Sequence, residues 1–355
     1  MSDSNNSVKI ALLGYGYWGS KIARSILQSN LVSLAAIVEQ NNSAKNQAAK
    51  ECPGVSLHSD LNEIIKSHSV DGIIVATPAG SHFEIANNII ANGINLLVEK
   101  PITLSYNEAY ELVESSQKNN VLLMSGYTFL YSPAVRFIKN QIDSNRLGKI
   151  QYIDSQRLLG IPRNDCSALW DLGSHDISIL TYLSDEMPIE VSGFSLNLLK
   201  DTPYDLANVN LRYASGLQST IRVGWVHYAK VRLLSIIGTK QMVSYNDLPL
   251  DHKVTIWGPV IDGLEDQDLQ DIIPDRMLDP IYSDFERRTS RANMYVPELS
   301  TGEPLQLEIE EFAKSIRHGG IPPSSNIFSL KVTRILEAID ESISNNGKSV
   351  EVKKI

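Results

Sequence analysis

Three side chains able to take part in proton transfer lie in two short stretches of the 355-residue sequence. Lys100 stands in Glu99-Lys100-Pro101, where its ammonium could hydrogen-bond a reacting hydroxyl and stabilise developing alkoxide charge. Asp171 and His175 are four residues apart, so on a helical turn they share one face. A carboxylate beside an imidazole fixes its tautomer and raises its basicity, which suits a general base near neutral pH. The alternatives are a surface lysine in a loop, and Asp171 as a helix N-cap with His175 merely packed.

A glycine-rich turn is the second candidate site. Gly14-Tyr15-Gly16-Tyr17-Trp18-Gly19 follows an apolar run and precedes a helical pattern. In that position the first glycine makes a tight turn, the second lets the backbone approach a pyrophosphate, and the third allows close helix packing. The helix N-terminus then offers free N–H groups and a positive dipole end to the phosphates. The motif predicts a dinucleotide site, and a purely structural turn is the alternative.

Glu39 indicates which dinucleotide fits. It ends the next apolar run, about 20 residues after the motif, where an acid hydrogen-bonds the ribose hydroxyls of the adenosine half. A carboxylate there repels a 2′-phosphate, and the following residues, Gln40, Asn41, Asn42 and Ser43, are uncharged. The sequence therefore favours NAD over NADP.

The first third of the chain alternates short apolar runs with helical patterns. The apolar runs occupy residues 8–13, 34–38, 72–76, 95–98 and 121–124. Ile22, Ile26 and Leu27 are spaced as one face of the first helix. This alternation is typical of a parallel sheet covered on both faces, whose ligands lie outside the carboxyl ends of the strands. Lys100 falls at such an end, and Pro101 is expected to hold the bend after it and is a candidate for a cis peptide bond.

Past about residue 128 the pattern changes to longer alternating runs. These runs lie at residues 189–198, 206–213, 217–225 and 231–237, and helical patterns lie at 134–142, 176–183, 308–317 and 329–344. The turn Ala214-Ser215-Gly216 joins two runs as an antiparallel hairpin requires. We therefore predict a dinucleotide-binding domain at 1–128 and a substrate-binding and oligomerisation domain at 129–355, an α+β domain with an open, mainly antiparallel sheet. An open apolar sheet needs covering, so a homodimer or homotetramer is expected, and the polar stretch 258–297 is expected to be a loop or lid.

Composition excludes several classes of protein. The 32 basic residues against 41 acidic ones give a net charge of −9 without a dense basic stretch, which argues against a nucleic-acid partner. A membrane helix needs about 18 consecutive apolar residues, which no run approaches, and residues 1–7 are unlike a signal peptide. Cys52 and Cys166 form neither a disulfide framework nor a zinc site, so we expect no metal and a reducing, cytoplasmic location.

Together these motifs resemble the glucose–fructose oxidoreductase/inositol dehydrogenase (Gfo/Idh/MocA) family. The matching pieces, in order, are the glycine motif, Ala76-Thr77-Pro78 with His82, Glu99-Lys100-Pro101, and the stretch from Asp171 to His175. The resemblance implies an N-terminal Rossmann domain and a C-terminal α/β domain whose open sheet often forms the oligomer interface. It also implies that Lys100, Asp171 and His175 act together on a sugar or polyol hydroxyl. The predicted cofactor-binding residues are Gly14, Gly16, Tyr17, Trp18, Gly19, Glu39, Ala76, Thr77, Pro78, His82, Glu99 and Lys100.

Within that family, residues 170–178, 126–131 and 225–232 are most similar to dehydrogenases of surface-polysaccharide and nucleotide-sugar pathways. We therefore predict an NAD-dependent oxidoreductase that moves a hydride between a sugar, by preference a nucleotide sugar, or a polyol and the nicotinamide. His175 takes the hydroxyl proton, Asp171 orients His175, and Lys100 polarises the oxygen. Two alternatives remain: an NAD-dependent glycosidase with an internally recycled cofactor, and a non-catalytic sugar or dinucleotide sensor.

Lys100, Asp171 and His175 are also predicted to contact the substrate, together with three further side chains. Arg157 and Arg163 suit a nucleotide-sugar diphosphate or a uronate carboxylate, because a guanidinium binds such groups with two hydrogen bonds. Solvated surface charges are the alternative for both arginines. Tyr127 is predicted to line the pocket, with a place in the core as its alternative.

Overall fold

A computed structural model describes residues 7–67, 69–199, 203–248, 252–258 and 293–355. The first sheet and its helices are, in chain order, β1 (Val8–Leu13), α1 (Tyr17–Gln28), β2 (Val32–Val38), α2 (Asn42–Glu51), β3 (Ser56–His58), α3 (Leu61–Ser67), β4 (Gly72–Val75), α4 (His82–Ala91), β5 (Asn95–Val98), α5 (Tyr106–Lys118) and β6 (Leu123–Ser125). All neighbouring strands of this sheet pair in parallel, in the order β3-β2-β1-β4-β5-β6. The predicted parallel sheet is confirmed.

The strand order reverses beside β1, which creates a crevice at the carboxyl ends of β1 and β4. The glycine motif follows β1, and Glu99 follows β5, so both open onto that edge. β3 was not predicted, because its three residues are exposed or half-buried and leave no apolar run. The predicted face of α1 holds for Ile22 and Ile26, whereas Leu27 is 52% exposed and lies off the buried face.

The second half of the described chain builds a larger sheet. Its elements are α6 (Pro133–Asp143), β7 (Ile150–Leu158), a π-helical turn (Leu169–Gly173), α7 (Ser174–Ser184), β8 (Glu190–Leu196), β9 (Leu206–Arg212), β10 (Gln218–Gly224), β11 (Val231–Gly238), β12 (Met242–Asn246), β13 (Val254–Gly258), β14 (Asn293–Tyr295), α8 (Pro304–His318), α9 (Asn326–Ser344) and β15 (Val350–Glu351). Within the described ranges the strand order is β14-β13-β12-β11-β7-β10-β9-β8-β15. Every pair is antiparallel except β7 with β10, so the mainly antiparallel sheet is confirmed.

The central strand of this sheet, β7, escaped the sequence pattern. Its inward positions include Ser155 and Arg157 beside Ile153, so the alternation of apolar and polar residues is weak. The predicted hairpin between β9 and β10 is present, and Gly216 turns it with a φ of +90°. Of the predicted loop at 258–297, residues 259–292 lie outside the described residues. Gly258 and residues 293–295 belong to paired strands, so the loop prediction is wrong there.

The last two helices return to the first sheet. α8 packs against α1, β1 and β2, and α9 packs against α5, β6 and β8. The main-chain N–H of Ser125 at the end of β6 donates to the carbonyl of Ser324 at 3.0 Å. The division of the chain at 128/129 stays a prediction. Among the helices of the described ranges, none combines the length and apolar character needed to cross a bilayer.

Candidate active site

The glycine motif forms a tight turn between β1 and α1. Gly14 has a φ of +95°, and a Cβ there would lie 2.6 Å from the carbonyl oxygen of Ala76. A Cβ on Gly19 would lie 2.2 Å from the carbonyl oxygen of Gly14, whereas one on Gly16 would meet nothing within 4 Å. Packing therefore demands the first and third glycines, while the second borders open space at the N-terminus of α1. This is the arrangement that a dinucleotide pyrophosphate requires, so these residues fit the cofactor.

Glu39 lies at the end of β2, beside this turn. Its Oε2 accepts a hydrogen bond from the main-chain N–H of Tyr15 at 2.7 Å, and its Oε1 accepts one from the N–H of Asn41 at 2.7 Å. The two bonds fix the carboxylate, and each oxygen keeps a lone pair for a further donor. The acid therefore lies at the carboxyl end of β2 beside the glycine turn, and its contact with the ribose of NAD stays a prediction.

A cavity of about 250 Å³ lies between the two sheets, at the carboxyl end of the first. It brings together most of the predicted site residues, namely Tyr17, Trp18, Ala76, Thr77, His82, Glu99, Lys100, Arg163, Asp171 and His175. Pro78 directly precedes the 3₁₀ turn Ala79–Ser81 at its edge. Tyr127 and Arg157, predicted to bind substrate, are not part of the lining.

His82 joins two loops of the first sheet. Its buried ring lies with Nδ1 2.8 Å from the carbonyl oxygen of Pro101 and Nε2 2.9 Å from that of Thr77. Burial lowers the pKa of His82, which keeps the ring neutral, so it donates to one of these carbonyls at a time. The Lys100–Pro101 peptide bond is cis, as the sequence suggested. His82 therefore ties together the loops after β4 and β5, and its predicted contact with the cofactor stays a prediction.

Lys100 and Asp171 are in direct contact across the cavity. The Lys100 ammonium donates to the Asp171 carbonyl oxygen at 2.8 Å, and Nζ lies 3.3 Å from Asp171 Oδ1. The indole N–H of Trp225 donates to Asp171 Oδ2 at 3.0 Å. Asp171 is thus bound to Lys100 and Trp225, and the prediction that it orients His175 is not met. Residues Leu169–Gly173 form a π-helical turn, so the α-helical geometry that the four-residue spacing assumed does not hold there.

His175 is held by packing. Its ring meets that of Phe129 edge-on, with centroids 5.0 Å apart, and Nδ1 is buried without a hydrogen-bond partner among the described residues. Burial lowers the pKa of His175 well below its ordinary value, and the positive charges of Lys100, Arg157 and Arg232 lower it further. The imidazole is therefore neutral at neutral pH and can accept a proton.

Arg157 does not bind substrate as predicted, because it is enclosed behind His175. Its Nε donates to Asp176 Oδ2 at 2.9 Å, and the two residues are only 5% and 2% exposed. Ser155 Oγ donates to Asp176 Oδ1 at 2.7 Å, and the guanidinium lies 4.6 Å from the centroid of the Phe129 ring. The strand alternation of β7 turns Arg157 inward, where the ion pair supports the ring that contacts His175.

Of the other two predicted substrate contacts, one lines the cavity and one does not. Arg163 lines the cavity, and Asp165 accepts two hydrogen bonds from its guanidinium at 2.9 and 2.6 Å. Tyr127 is fully buried and packs edge-on against Phe328 with ring centroids 5.7 Å apart, so it belongs to the core. Sequence reasoning also missed Phe129 and Trp225 as partners of the site, since only the fold brings their strands and turns beside His175 and Asp171.

The fold and the site together define a two-domain protein with a dinucleotide-binding Rossmann domain, of the kind found in NAD-dependent oxidoreductases. Residues 8–127 match the family model of the oxidoreductase family with an NAD-binding Rossmann fold, and residues 135–244 match that of the GFO/IDH/MocA C-terminal domain. The chain belongs to the Gfo/Idh/MocA oxidoreductase family.

Relatives in this family act on several compounds. The scyllo-inositol 2-dehydrogenase (NAD⁺) of Bacillus subtilis is 25% identical over 91% of this chain and 90% of its own length. The UDP-N-acetylglucosamine 3-dehydrogenase of Acidithiobacillus ferrooxidans is 23% identical over 73% of this chain and 82% of its own length. The solved structure of that dehydrogenase shares the fold, with a TM-score of 0.78, 19% identity, and coverage of 96% of this chain and 98% of that chain.

Two other curated relatives are matched over less of their length. The 2,7-anhydro-N-acetylneuraminate hydratase of Mediterraneibacter gnavus is 24% identical over 66% of this chain and 66% of its own length. An uncharacterised oxidoreductase of Streptococcus pneumoniae is 31% identical over 42% of this chain, which spans 40% of that relative.

Proposed function

We propose that the protein is an NAD-dependent dehydrogenase or reductase acting on a CH–OH group of a sugar or polyol. The observation that carries the proposal is one cavity in which the Lys100 ammonium and the His175 ring lie together with Tyr17 and Trp18 of the dinucleotide turn. A proton acceptor and an oxygen-binding cation beside a nicotinamide are what oxidation of an alcohol needs. Relatives that oxidise an inositol and a nucleotide sugar support the same reaction class.

Bound NAD would supply the carbon that accepts or returns the hydride. Lys100, fixed by its 2.8 Å bond to the Asp171 carbonyl, donates to the substrate oxygen and stabilises its negative charge. His175 accepts the hydroxyl proton as the C–H bond breaks, and its lowered pKa keeps the ring free to do so. The alcohol would thus become a carbonyl, with its proton taken by His175 and its hydride by the dinucleotide that the glycine turn would hold. In reduction, His175 would pass a proton from solvent to the substrate oxygen.

We favour a nucleotide sugar over a free polyol because of Arg163. Its side chain lines the cavity, remains 43% exposed, and is held in one orientation by Asp165. A guanidinium fixed in this way keeps donors for the oxygens of a diphosphate or a carboxylate. The UDP-N-acetylglucosamine 3-dehydrogenase among the relatives supports this choice.

A reaction without net oxidation is the second candidate. The relative that favours it is the 2,7-anhydro-N-acetylneuraminate hydratase, whose product forms by addition of water. The same lysine and histidine would serve there if a transient oxidation were reversed before product release, as in a glycosidase with recycled NAD. A non-catalytic sensor does not need Lys100, Asp171 and His175 in one cavity, which argues against that alternative.

The test is to add NAD and a panel of nucleotide sugars, uronates and polyols to the purified protein and to follow NADH absorbance and product mass. NADH formed with one substrate supports the dehydrogenase. Substrate consumed without NADH, by a protein that retains NAD, supports the recycling reaction. A protein that neither retains NAD on purification nor binds it in direct titration contradicts both.

We also propose that a second copy of the chain covers the outer face of the large sheet. That face presents Phe194 and Leu196 of β8, 56% and 50% exposed, and the half-buried Leu233 and Ile237 of β11. Burial of such residues favours association, which sedimentation of the protein would show as a dimer or tetramer. The free thiols Cys52 and Cys166 support the predicted cytoplasmic location.

A further inference from the structure

Glu99 is a nearly enclosed acid at the wall of the cavity. It is 8% exposed and lines the same space as Lys100 and His175. The indole N–H of Trp18 donates to its Oε1, and the main-chain N–H of Lys100 donates to its Oε2 at 3.2 Å. A Cβ on Gly126 would lie 2.8 Å from Oε2, so the carboxyl packs directly on the main chain of that glycine. The position of this carboxyl is therefore fixed from three sides.

A second acid, Glu308 of α8, lies on the other side of the same short segment. The hydroxyl of Thr128 donates to Glu308 Oε2 at 2.8 Å, and Thr128 and Gly126 both line the cavity. Glu308 is 0% exposed, and its Oε1 has no hydrogen-bond partner in the part of the chain that the structure describes. A buried carboxyl with one donor and no cation is more stable protonated than ionised.

Burial raises the cost of ionising both acids. Burial raises the pKa of Glu99 to about 7, opposed by the Trp18 indole N–H, by the charge of the Lys100 ammonium and by the main-chain N–H of Lys100. Burial, and then the charge of Glu99, raises the pKa of Glu308 well above its usual range. The other ionisable groups that line the cavity with Glu99 are Tyr17, His82, Lys100, Arg163, Cys166, Asp171 and His175, and Tyr131 lies beside Glu308. The Lys100 ammonium is bound to Asp171 and so leaves Glu99 without a direct ion pair.

We propose that Glu99 and Glu308 together carry at most one negative charge, and that Glu99 gains this charge when oxidised nicotinamide binds and loses it when the nicotinamide is reduced. The inference rests on the proposed use of NAD. The oxidised ring is a cation and the reduced ring is neutral, so only the oxidised ring attracts a carboxylate in this enclosed site. Binding of NAD⁺ would release a proton from Glu99 to solvent, and its reduction would take one up.

The consequence is a cofactor preference that depends on pH. Below about pH 7, Glu99 is neutral and the site gives NAD⁺ no electrostatic advantage. Above that pH the carboxylate favours NAD⁺, so the ratio of the NAD⁺ to the NADH dissociation constant falls as pH rises. Reciprocal coupling of proton and ligand predicts a change in that ratio of about tenfold between about pH 6 and pH 8.

The experiment measures both dissociation constants across this pH range by equilibrium dialysis of the full-length protein, without substrate. The tryptophan fluorescence of the nucleotide-free protein that is lost in a Trp18→Phe variant serves as a second readout of the charge on Glu99. Glu99→Gln should remove the pH dependence of the ratio. Glu310→Gln is the control: it removes an acid from α8, the helix of Glu308, at a position outside the cavity lining. This variant should leave the pH dependence of the ratio unchanged.

Glu308→Gln tests where the charge resides. Glutamine replaces a neutral acid closely, so the midpoint of the wild-type transition should move by less than about half a pH unit. A fall of a full unit or more would mean that Glu308 is ionised, which contradicts the shared single charge. Thermal unfolding shows whether the variant is folded, and if it is not, Glu99→Gln decides alone.

A ratio that is constant with pH in the wild type, or still variable in Glu99→Gln, overturns the inference while NAD binding stands. Failure to bind either nucleotide contradicts the proposed function instead.

Discussion

The two walls of the cavity hold their polar groups in different ways. On the wall of the first sheet, main-chain groups set the positions, as where Glu39 accepts two main-chain N–H groups. On the wall of the second sheet, side chains hold side chains: Arg157 pairs with Asp176, and Trp225 donates to Asp171. The first wall depends on glycines and main-chain hydrogen bonds, and the second depends on paired side chains. Substitutions in the two walls should therefore affect stability, NAD affinity and turnover differently.

The largest effect on turnover is expected from residues where the two walls meet. Lys100→Met or His175→Asn should lower kcat about 10²- to 10⁴-fold, because each removes a group that handles the substrate oxygen or its proton. NAD affinity should change little, since other residues form the dinucleotide turn. Steady-state turnover and NAD titration measure the two quantities. Near-wild-type turnover in either variant would remove that residue from the mechanism.

On the wall of the second sheet, Arg157→Met should lower the free energy of unfolding by about 3–5 kcal/mol, because it leaves the Asp176 carboxylate buried and unpaired. Denaturant unfolding measures this loss, and the double variant Arg157→Met/Asp176→Asn should recover most of it.

Loss of the Arg157 charge also raises the pKa of His175. Since the base must be neutral, the acid limb of the pH–rate profile should then move to higher pH. An unchanged limb in a folded variant would contradict the coupling.

On the wall of the first sheet, alanine substitutions at two glycines of the same turn make a matched pair of variants. Gly19→Ala should destabilise the fold, because its Cβ would lie 2.2 Å from the carbonyl oxygen of Gly14. Gly16→Ala should leave thermal unfolding unchanged, yet weaken NAD binding by about tenfold or more, since the methyl group occupies the space for the pyrophosphate. Equal NAD affinity in Gly16→Ala and wild type would mean that the phosphates bind elsewhere.

The smallest effect is expected from Trp225→Phe. The ring keeps its packing but loses the N–H that binds Asp171 Oδ2. The lost hydrogen bond acts on catalysis only through the geometry of Asp171 and Lys100, so kcat should fall by less than about tenfold. KM and NAD affinity should stay near wild type, and a change confined to KM would assign Trp225 to substrate binding.

The sequence predicts the positions of the polar groups better on the wall of the first sheet than on the wall of the second sheet. The glycine turn and Glu39 lie where their spacing places them, because a tight turn after a strand restricts the backbone to few conformations. Arg157 was assigned to the substrate, because its side chain suits an anion and nothing nearby in sequence shows that Asp176 binds it. Asp171 likewise binds Lys100 and Trp225 instead of His175, and the four-residue spacing does not reveal it.

Glu308 shows the same limit of local patterns. In the sequence it stands near two further acids, Glu310 and Glu311, and resembles a solvated helix face. Only the packing of α8 on the first sheet and the 3₁₀ turn Thr128–Tyr131 places it beside Thr128. Long-range packing decides such positions, and no motif records it.

The return of α8 and α9 to the first sheet also sets an order for folding during synthesis. The nascent Rossmann half leaves the ribosome before Ser324 exists to pair with β6 and before α9 can cover α5. An unpaired strand edge and an uncovered apolar helix invite association with other chains. We expect ribosome-bound chains ending near residue 250 to be cut readily by protease, and chains extended past residue 344 to become resistant.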